Sequence, residues 1–440
     1  MSDFFERRNV MLQMKNMSFV MGIKLRIYPT NEQKSIIAAN AGAARFVYNR
    51  LVARNKELFL LRKTGCFVEP IVNRINYLES LGESSASFKE SCPFLTDSRI
   101  DSLAIANAVQ NYHKAWKQFK TVPGTSIPTF HKKGYAASYQ TNAQYKKDAV
   151  LISDGNVYLT DKRHIKLPKL GSMRFKGSNR IYKIFERSDT RIGTITVSKD
   201  ECNRYFVSLQ IGSTEPFHKT SKTEPVSKDK IGSPGKLNVI GIDLNLDNFY
   251  TDSNGVVVDN PRYRKKVQTR LAREQRKLSK RAERAKKDGR SLKDSKNYQN
   301  QRIKVAKLHK KAAAQMKDFQ NRLSKMLVES QDIICVEDLK VKNMIKNRKL
   351  ARAIADASWS QFINMLVYKG RIYGTTVVKV PPQNTTQTCS SCGYILTGEE
   401  KLTLKGREWI CPCCGTKHNR DHNSAINVKI KGLEFLFPAA

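Results

Sequence analysis

The run Val239-Ile240-Gly241-Ile242-Asp243-Leu244 constrains this chain more than any other stretch. It reads as a buried strand, a short apolar run with a single carboxylate set inside it. An ionised Asp in such a place is costly unless a metal or another cation compensates it. Alone, it could simply close the strand and cap the next turn. Two later segments change the reading. Asp332-Ile333-Ile334-Cys335-Val336-Glu337-Asp338 is a second apolar strand ending in an acid, and Arg420-Asp421-His422-Asn423-Ser424-Ala425 puts an acid at an expected helix start. Asp243, Glu337 and Asp421 are thus far apart in sequence, each at the edge of a core element. That is the pattern a two-metal phosphodiester site requires, because two cations about 4 Å apart need several carboxylates to hold them.

The charge balance says what such a site would act on. Lys and Arg number 79 against 39 Asp and Glu, a net charge of +40 over 440 residues. Basic residues run through the whole chain, so this is not a basic tail on a neutral enzyme, and the obvious partner is a polyphosphate. The density peaks between Arg262 and Arg322, with 23 Lys/Arg against 5 Asp/Glu and with Leu271 and Leu278 one heptad apart. Long helices with a basic face fit this stretch. They would repel themselves without a counter-charged partner, and a nucleic acid backbone supplies one whose grip weakens steeply with salt. No apolar run is long enough to span a bilayer. The first twenty-odd residues carry Met1, Met11, Met14, Met17 and Met21 with scattered charges and lack the apolar stretch of a signal peptide. A cytoplasmic, nucleoid-associated protein with no membrane partner is expected, with its nine Cys reduced.

At this length two or three domains are expected. Ile23-Lys24-Leu25-Arg26-Ile27-Tyr28 alternates like a half-buried strand that Pro29 stops, and Thr30-Asn31-Glu32-Gln33 has the form of a capping box before a helix. Residues 62–96 carry Gly, Ser and Pro punctuation and read as irregular. Ser98-Arg99-Ile100-Asp101 reads as another cap, after which Ile105, Val109, Tyr112, Trp116 and Phe119 form a helix seam; core packing suits Tyr112 and Trp116 better than base stacking. From Gly124 to Ile211 strands take over, with Ile195 and Val197 before a turn and Tyr205, Val207, Leu209 and Ile211 after it, as a hairpin of a small antiparallel barrel. Residues 213–236 are polar and Pro-punctuated, as a linker is. Beyond Asp243, a hairpin around Ser253-Asn254-Gly255, the basic helices, the Glu337 strand, a helix from Trp359 and a strand at Val377-Val378-Lys379-Val380 suggest a mixed α/β sheet.

Cys389-Ser-Ser-Cys392-Gly393 and Cys411-Pro-Cys-Cys414-Gly415 are two knuckles with the spacing of a tetrahedral zinc site, the Gly after each pair permitting the tight turn. Cys413 makes the second pair ambiguous, and the matching glycines favour Cys414 as the ligand. Redox chemistry at a C-x-x-C is the alternative, against which two paired knuckles argue. The ligand set Cys389, Cys392, Cys411 and Cys414 leaves no open position, so one structural zinc is expected.

Together these motifs resemble the TnpB family of transposon-encoded, RNA-guided DNA endonucleases, ancestral to the compact type V CRISPR effectors. The resemblance runs from about Met21 to the end. It is carried by Lys24-Leu25-Arg26-Ile27-Tyr28-Pro29-Thr30, Arg45-Phe46-Val47-Tyr48-Asn49, Ile165-Lys166-Leu167-Pro168-Lys169-Leu170-Gly171, Gly241-Ile242-Asp243-Leu244, Val336-Glu337-Asp338-Leu339, Ala355-Asp356-Ala357-Ser358-Trp359, Gln387-Thr388-Cys389-Ser390-Ser391-Cys392-Gly393 and Arg420-Asp421-His422-Asn423-Ser424-Ala425. It departs at Asn245, where the first motif usually has Gly, and at Asn419, where an Asp commonly precedes the Arg. The resemblance implies an α/β, RNase H-like RuvC nuclease domain with a zinc-ribbon insertion, preceded by an all-β wedge barrel interrupted by a helical recognition insert. On this chain it implies an N-terminal extension and first wedge strand over 1–30, the recognition insert over 31–122, the wedge barrel over 123–212, the linker over 213–236, nuclease parts over 237–388 and 416–440, and the ribbon over 389–415. Asp243, Glu337 and Asp421 would be the catalytic carboxylates holding two Mg2+. A guide RNA and a target double-stranded DNA would be the partners, the protein reading only a short motif beside the target. One copy per RNA is expected, with a dimer left open. Two rivals share the basic surface and ribbon: a nuclease-silent guided DNA-binding protein or transposition accessory factor, which would not need three acids, and an unguided resolvase, which would not need so long an N-terminal half.

Overall fold

The computed structural model describes residues 13–65, 68–217, 237–344, 346–347, 351–402 and 406–437. The start of the N-terminal extension, to residue 12, and most of the linker, over 218–236, lie outside the described residues. The chain forms two compact units, Met1–Phe217 and His218–Ala440.

In the first unit, β1 (Phe19–Ile27) buries Ile23, Leu25 and Ile27 on one face, as its alternation predicts. Thr30 then opens α1 (Asn31–Lys63) with the expected capping box: Thr30 Oγ1 accepts from the Gln33 amide at 3.2 Å, and Gln33 Oε1 accepts from the Thr30 amide at 2.9 Å. The stretch 62–96, read as irregular, is largely helical. α1 runs to its end at Lys63, and α2 (Glu69–Ser80) and α3 (Ser85–Ser91) follow. Pro70 sits in the first turn of α2, where no amide is needed, and Ser84 caps α3 by accepting from the Ser87 amide at 3.0 Å. The punctuation there marks helix starts, not loop. Asp101 caps α4 (Ser102–Thr121), whose Ile105, Val109 and Tyr112 are buried against α1.

The rest of this unit is β2 (Ala137–Asn142), β3 (Tyr158–Asp161), β4 (His164–Leu167), β5 (Gly171–Lys176), α5 (Asn179–Phe185), β6 (Thr190–Lys199) and β7 (Tyr205–Ser213). With β1 the strands form one antiparallel sheet in the order β2-β6-β7-β1-β5-β4-β3. The hairpin read from the alternation is β6–β7, with Val197 opposite Val207 and Ile195 opposite Leu209. A single bridge, Tyr145 to Gly155, joins the chain after β2 to the chain before β3, so the sheet curls into an incomplete barrel around Leu25, Ile165, Val207 and Leu209. Ser213, read as the first linker residue, is the fully buried last residue of β7.

The second unit opens with β8 (Val239–Asp243), β9 (Asn248–Asp252) and β10 (Val257–Asp259), the last turn made at Gly255 with φ +83°. The two basic helices follow as α6 (Tyr263–Lys287) and α7 (Lys296–Ser330), fastened where the buried Gln301 amide donates to the backbone carbonyl and carboxylate of Glu274 at 2.9 and 2.8 Å. Then come β11 (Ile333–Glu337), α8 (Val341–Met344), α9 (Ala351–Ala357), α10 (Trp359–Tyr373), β12 (Thr376–Val380), β13 (Glu408–Ile410), β14 (Lys417–Asn419) and α11 (Arg420–Leu436). The main sheet runs β10-β9-β8-β11-β12, with β8, β11 and β12 parallel and the outer hairpin antiparallel. β11 is buried along its whole length, as a parallel strand covered on both faces must be.

Strand parity assigns the two faces. Ile240, Ile242, Ile334 and Val336 pack with Leu327, Phe362 and Leu366 of α7 and α10. Ile333 and Cys335 point the other way, into a cluster with Val428 of α11. Gly241 lies on that second face and lets α11 touch the strand: a methyl group there would collide with the Ala425 carbonyl oxygen and sit 2.6 Å from the Lys429 amide nitrogen. Gly432 does the same from the helix side, facing Cys335. Gly241→Ala is expected to destabilise this unit by about 3 kcal/mol or more, read as faster hydrogen exchange of the β8 and β11 amides. Unchanged exchange would mean that α11 bears on the sheet less tightly than this packing requires.

Candidate metal centres

Parity also places the acids. Asp243 and Glu337 follow Ile242 and Val336, the last paired residues of two parallel neighbouring strands, and so emerge side by side on the α11 face. Adjacent strands lie about 4.8 Å apart. Asp421 comes from the first turn of α11, where Asn419 accepts hydrogen bonds from the amides of Asp421 and His422 at 3.1 and 3.2 Å. An Asn at this position therefore caps the helix as an Asp would. The three residues are 6, 5 and 8 % exposed, in chain order. The carboxyl of Asp243 is held well above the usual carboxylate range, first by burial and then by the charges of Glu337 and Asp421. Burial likewise raises Glu337, opposed by its hydrogen bond from Thr385 and by the charge of Lys431.

The partners of the acids come from across the unit. Ser424, one turn after Asp421, donates its hydroxyl to Asp243 Oδ1 at 3.0 Å. Thr385 donates to Glu337 Oε1 at 2.7 Å. Asp421 Oδ1 lies 3.2 Å from Arg420 Nε and its Oδ2 lies 3.6 Å from Arg407 Nη1, while Arg407 also pairs with Asp247. His422 packs over Gly255, its Nε2 at 3.3 Å from the Ser253 carbonyl. Asn245, at the other departure from the family pattern, accepts from the Asn248 amide at 2.8 Å and shapes the β8–β9 turn.

Magnitudes decide what this arrangement is suited to. Two carboxylates about 5 Å apart repel by roughly 3 kcal/mol at an effective dielectric near 20. A hydroxyl donated to one of them returns about 1.5–3 kcal/mol. Ser424 and Thr385 orient two of the acids without neutralising them, Arg420 and Arg407 stand against Asp421, and a divalent cation would offset the charge that remains. The donor set, carboxylate oxygens only, suits a hard cation such as Mg2+.

The second centre is the thiol cluster. The sulfurs of Cys389, Cys392, Cys411 and Cys414 all lie within 4.8 Å of one another. Cys413 is exposed and outside the cluster, which resolves the ambiguity of the second knuckle as the matching glycines suggested. Gly393 and Gly415 have φ of +79° and +71°, each closing its knuckle in the left-handed region. His418 on β14 brings its Nε2 to 3.1 Å from Cys389 Sγ and its ring to 4.8 Å from that of Trp409. Four thiols at this spacing suit a tetrahedral, thiophilic ion such as zinc.

Two measurements check these centres. Cys414→Ser is expected to lower the metal content of the purified chain by one ion, and Cys413→Ser to leave it unchanged. For the acids the sign follows from the raised carboxyl of Asp243: its stability cost grows as pH rises from the ordinary carboxylate range to about 8, because over that window the unfolded state gives up a proton that the folded state still holds. A divalent cation relieves that cost, so millimolar Mg2+ should raise the melting temperature more at about pH 8 than at about pH 5.

Three family models match this chain: one described as "Helix-turn-helix domain" over residues 17–63, one as "Probable transposase" over 225–348, and one as "Cas12f1-like, TNB domain" over 359–428. A protein of Streptomyces pristinaespiralis named "Putative RNA-guided DNA endonuclease" is 29% identical, the match covering 93% of this chain and 89% of the relative. "Putative RNA-guided DNA endonuclease InsQ" of Escherichia coli (strain K12) is 27% identical, covering 94% and 93%. Among solved structures, a chain from "Cryo-EM structure of the Cas12f1-sgRNA-target DNA complex" is 13% identical with a TM-score of 0.49, covering 93% of this chain and 98% of that one. The order of the models along the sequence and the near full-length relatives agree with the motifs read above: the chain belongs to the TnpB family of IS605-type transposon proteins.

Proposed function

We propose that this protein is an RNA-guided DNA endonuclease whose cleavage centre is formed by Asp243, Glu337 and Asp421. The observation that carries the reading is the meeting of three buried carboxylates, from two adjacent parallel strands and a helix N-terminus, in a chain of net charge +40. The near full-length relatives named as RNA-guided DNA endonucleases support the substrate and the guide. We read the second unit as a RuvC-type nuclease of RNase H-like fold with a zinc ribbon between β12 and α11, and the first as a wedge barrel interrupted by a helical recognition insert.

In this reading Asp243, Glu337 and Asp421 hold two Mg2+, which when bound would supply the positive charge and the activated water for phosphodiester hydrolysis. The protein's own part is orientation. Ser424 fixes the carboxylate plane of Asp243, Thr385 fixes that of Glu337, and the Asn419 cap fixes the first turn of α11 and with it Asp421. The N-terminal end of α11 adds its positive dipole where negative charge gathers. Arg407 and Arg420 stand beside Asp421 and face an incoming phosphate with cations. The thiol cluster would hold one zinc as a closed, structural site. No sequence-specific contact is asked of most of the Lys and Arg residues, since pairing with the guide reads the target.

The test is Asp243→Ala in the guide-loaded protein. It is expected to abolish cleavage of target DNA, by about 10³-fold or more, while guide-dependent DNA binding stays near the parent level. Cutting by this variant at the parent rate would remove Asp243 from the reaction. Loss of DNA binding together with cleavage would assign the acids a structural role instead.

A further inference from the structure

We infer that Asn427 is a positioning residue that ties the cysteine ribbon to the seat of Glu337, so that closure of the ribbon sets the geometry of the acidic centre. The inference rests on the reading of Asp243, Glu337 and Asp421 as a divalent-cation site.

The path can be followed bond by bond. Glu337 is held by the Thr385 hydroxyl at 2.7 Å, a contact buried on both sides. Thr385 lies in the segment between β12 and the first knuckle, and α11 fastens that segment. Asn427 Nδ2 donates to the carbonyl of Thr385 at 2.9 Å and to that of Thr388 at 2.6 Å. Asn423, one turn earlier, donates to the Thr388 carbonyl at 2.7 Å and accepts from the Ser390 amide at 2.9 Å. Both asparagines are buried, at 4 and 1 % exposure. The next residue along, Cys389, is the first thiol of the cluster. At the ribbon's other end, His418 reaches back to Cys389, and Asn419 caps the same helix. The Arg407 carbonyl accepts from the Arg420 amide at 2.7 Å and adds a third fastening.

Both arms of the ribbon therefore converge on the first two turns of α11, and two of the three acids depend on that convergence. Asp421 is carried by the helix itself. Glu337 is on a strand, and its side chain meets the segment leading to the ribbon at Thr385, whose backbone Asn427 holds. One primary amide spends both of its N–H groups on this junction, which no apolar side chain of similar size can reproduce. Partners of metal-binding carboxylates are worth about 10–100-fold in metal affinity, so loosening the junction should be read at the metal.

The experiment measures Mn2+ binding to the purified full chain from the loss of the free-ion paramagnetic resonance signal. Asn427→Leu and Thr385→Val are each expected to weaken the dissociation constant by about tenfold or more at unchanged stoichiometry. The double variant should bind no more weakly than the weaker single one, because both act along one path. Cys392→Ser, which opens the ribbon at its exposed knuckle, should weaken Mn2+ binding as well. Parent-like affinity in Asn427→Leu or Thr385→Val, with binding lost in Asp243→Ala, would overturn the positioning role and leave the cation site standing. Fully additive losses in the double variant, or a fall in stoichiometry at constant affinity, would also overturn it, the latter marking Asn427 as merely structural. Parent-like Mn2+ binding by Asp243→Ala would remove the cation site and the inference with it.

Discussion

The acidic centre depends on one backbone contact, the passage of α11 directly over β8 at Gly241. A strand and a helix ordinarily stand apart by two layers of side chains. Here the strand contributes no side chain at the crossing, and the helix contributes none where Gly432 meets Cys335. That closeness brings the first turn of α11 level with the ends of β8 and β11. Ser424 can then reach Asp243 with a short side chain, and Asp421 joins the two strand acids. Everything polar about the centre is downstream of two missing β-carbons.

Its cost is electrostatic. Burial and the charges of Glu337 and Asp421 raise the affinity of the Asp243 carboxyl for its proton, burial raises that of Glu337, and the hydroxyl partners do not offset this. The unit carries this cost on a core built without compromise: β11 is buried throughout, and Phe249, Trp359, Phe362 and Leu366 are closely packed on the far face of the sheet. Stability is accumulated on the α7/α10 face, and destabilising charge is concentrated on the α11 face. This division suits a site that a cation completes.

The cysteine ribbon belongs to the same construction. It leaves the sheet after β12 and returns as the N-terminal cap of α11, so its closure and the placing of the helix are one event. Asn423 and Asn427 fasten the outgoing arm, and Asn419 shapes the returning one. The run Arg420–Asn427 thus carries one of the three buried acids, one hydroxyl for a second acid and two amides for the ribbon. Asn423 and Asn427, four residues apart on one side of the helix, reach the same Thr388 carbonyl, while Ser424 turns to Asp243.

Much of this was legible in the order of residue types. An apolar run ending in an acid is a local pattern, and so are a two-cysteine knuckle closed by glycine, a capping box and a valine–isoleucine alternation. Each is decided by neighbours within a few positions, which is why β8, β11, the β6–β7 hairpin, the start of α1 and the thiol pairs could be read from the chain. Residues 62–96 misled because Gly, Ser and Pro punctuate helix starts as readily as loops, and only the capping geometry at Ser84 and the placing of Pro70 separate the two. The support of the acids was beyond local reading. Ser424 is 181 residues from Asp243, Thr385 is 48 from Glu337, and Asn427 is 42 from Thr385. A Ser, a Thr and an Asn carry no signal of such partners, since each is equally at home exposed on a helix or in a turn. The sequence by itself determined the chemistry available, three acids and four thiols in a strongly basic chain. Only the tertiary structure decided which side chains meet, because that depends on strand parity and on how closely one helix may approach one strand.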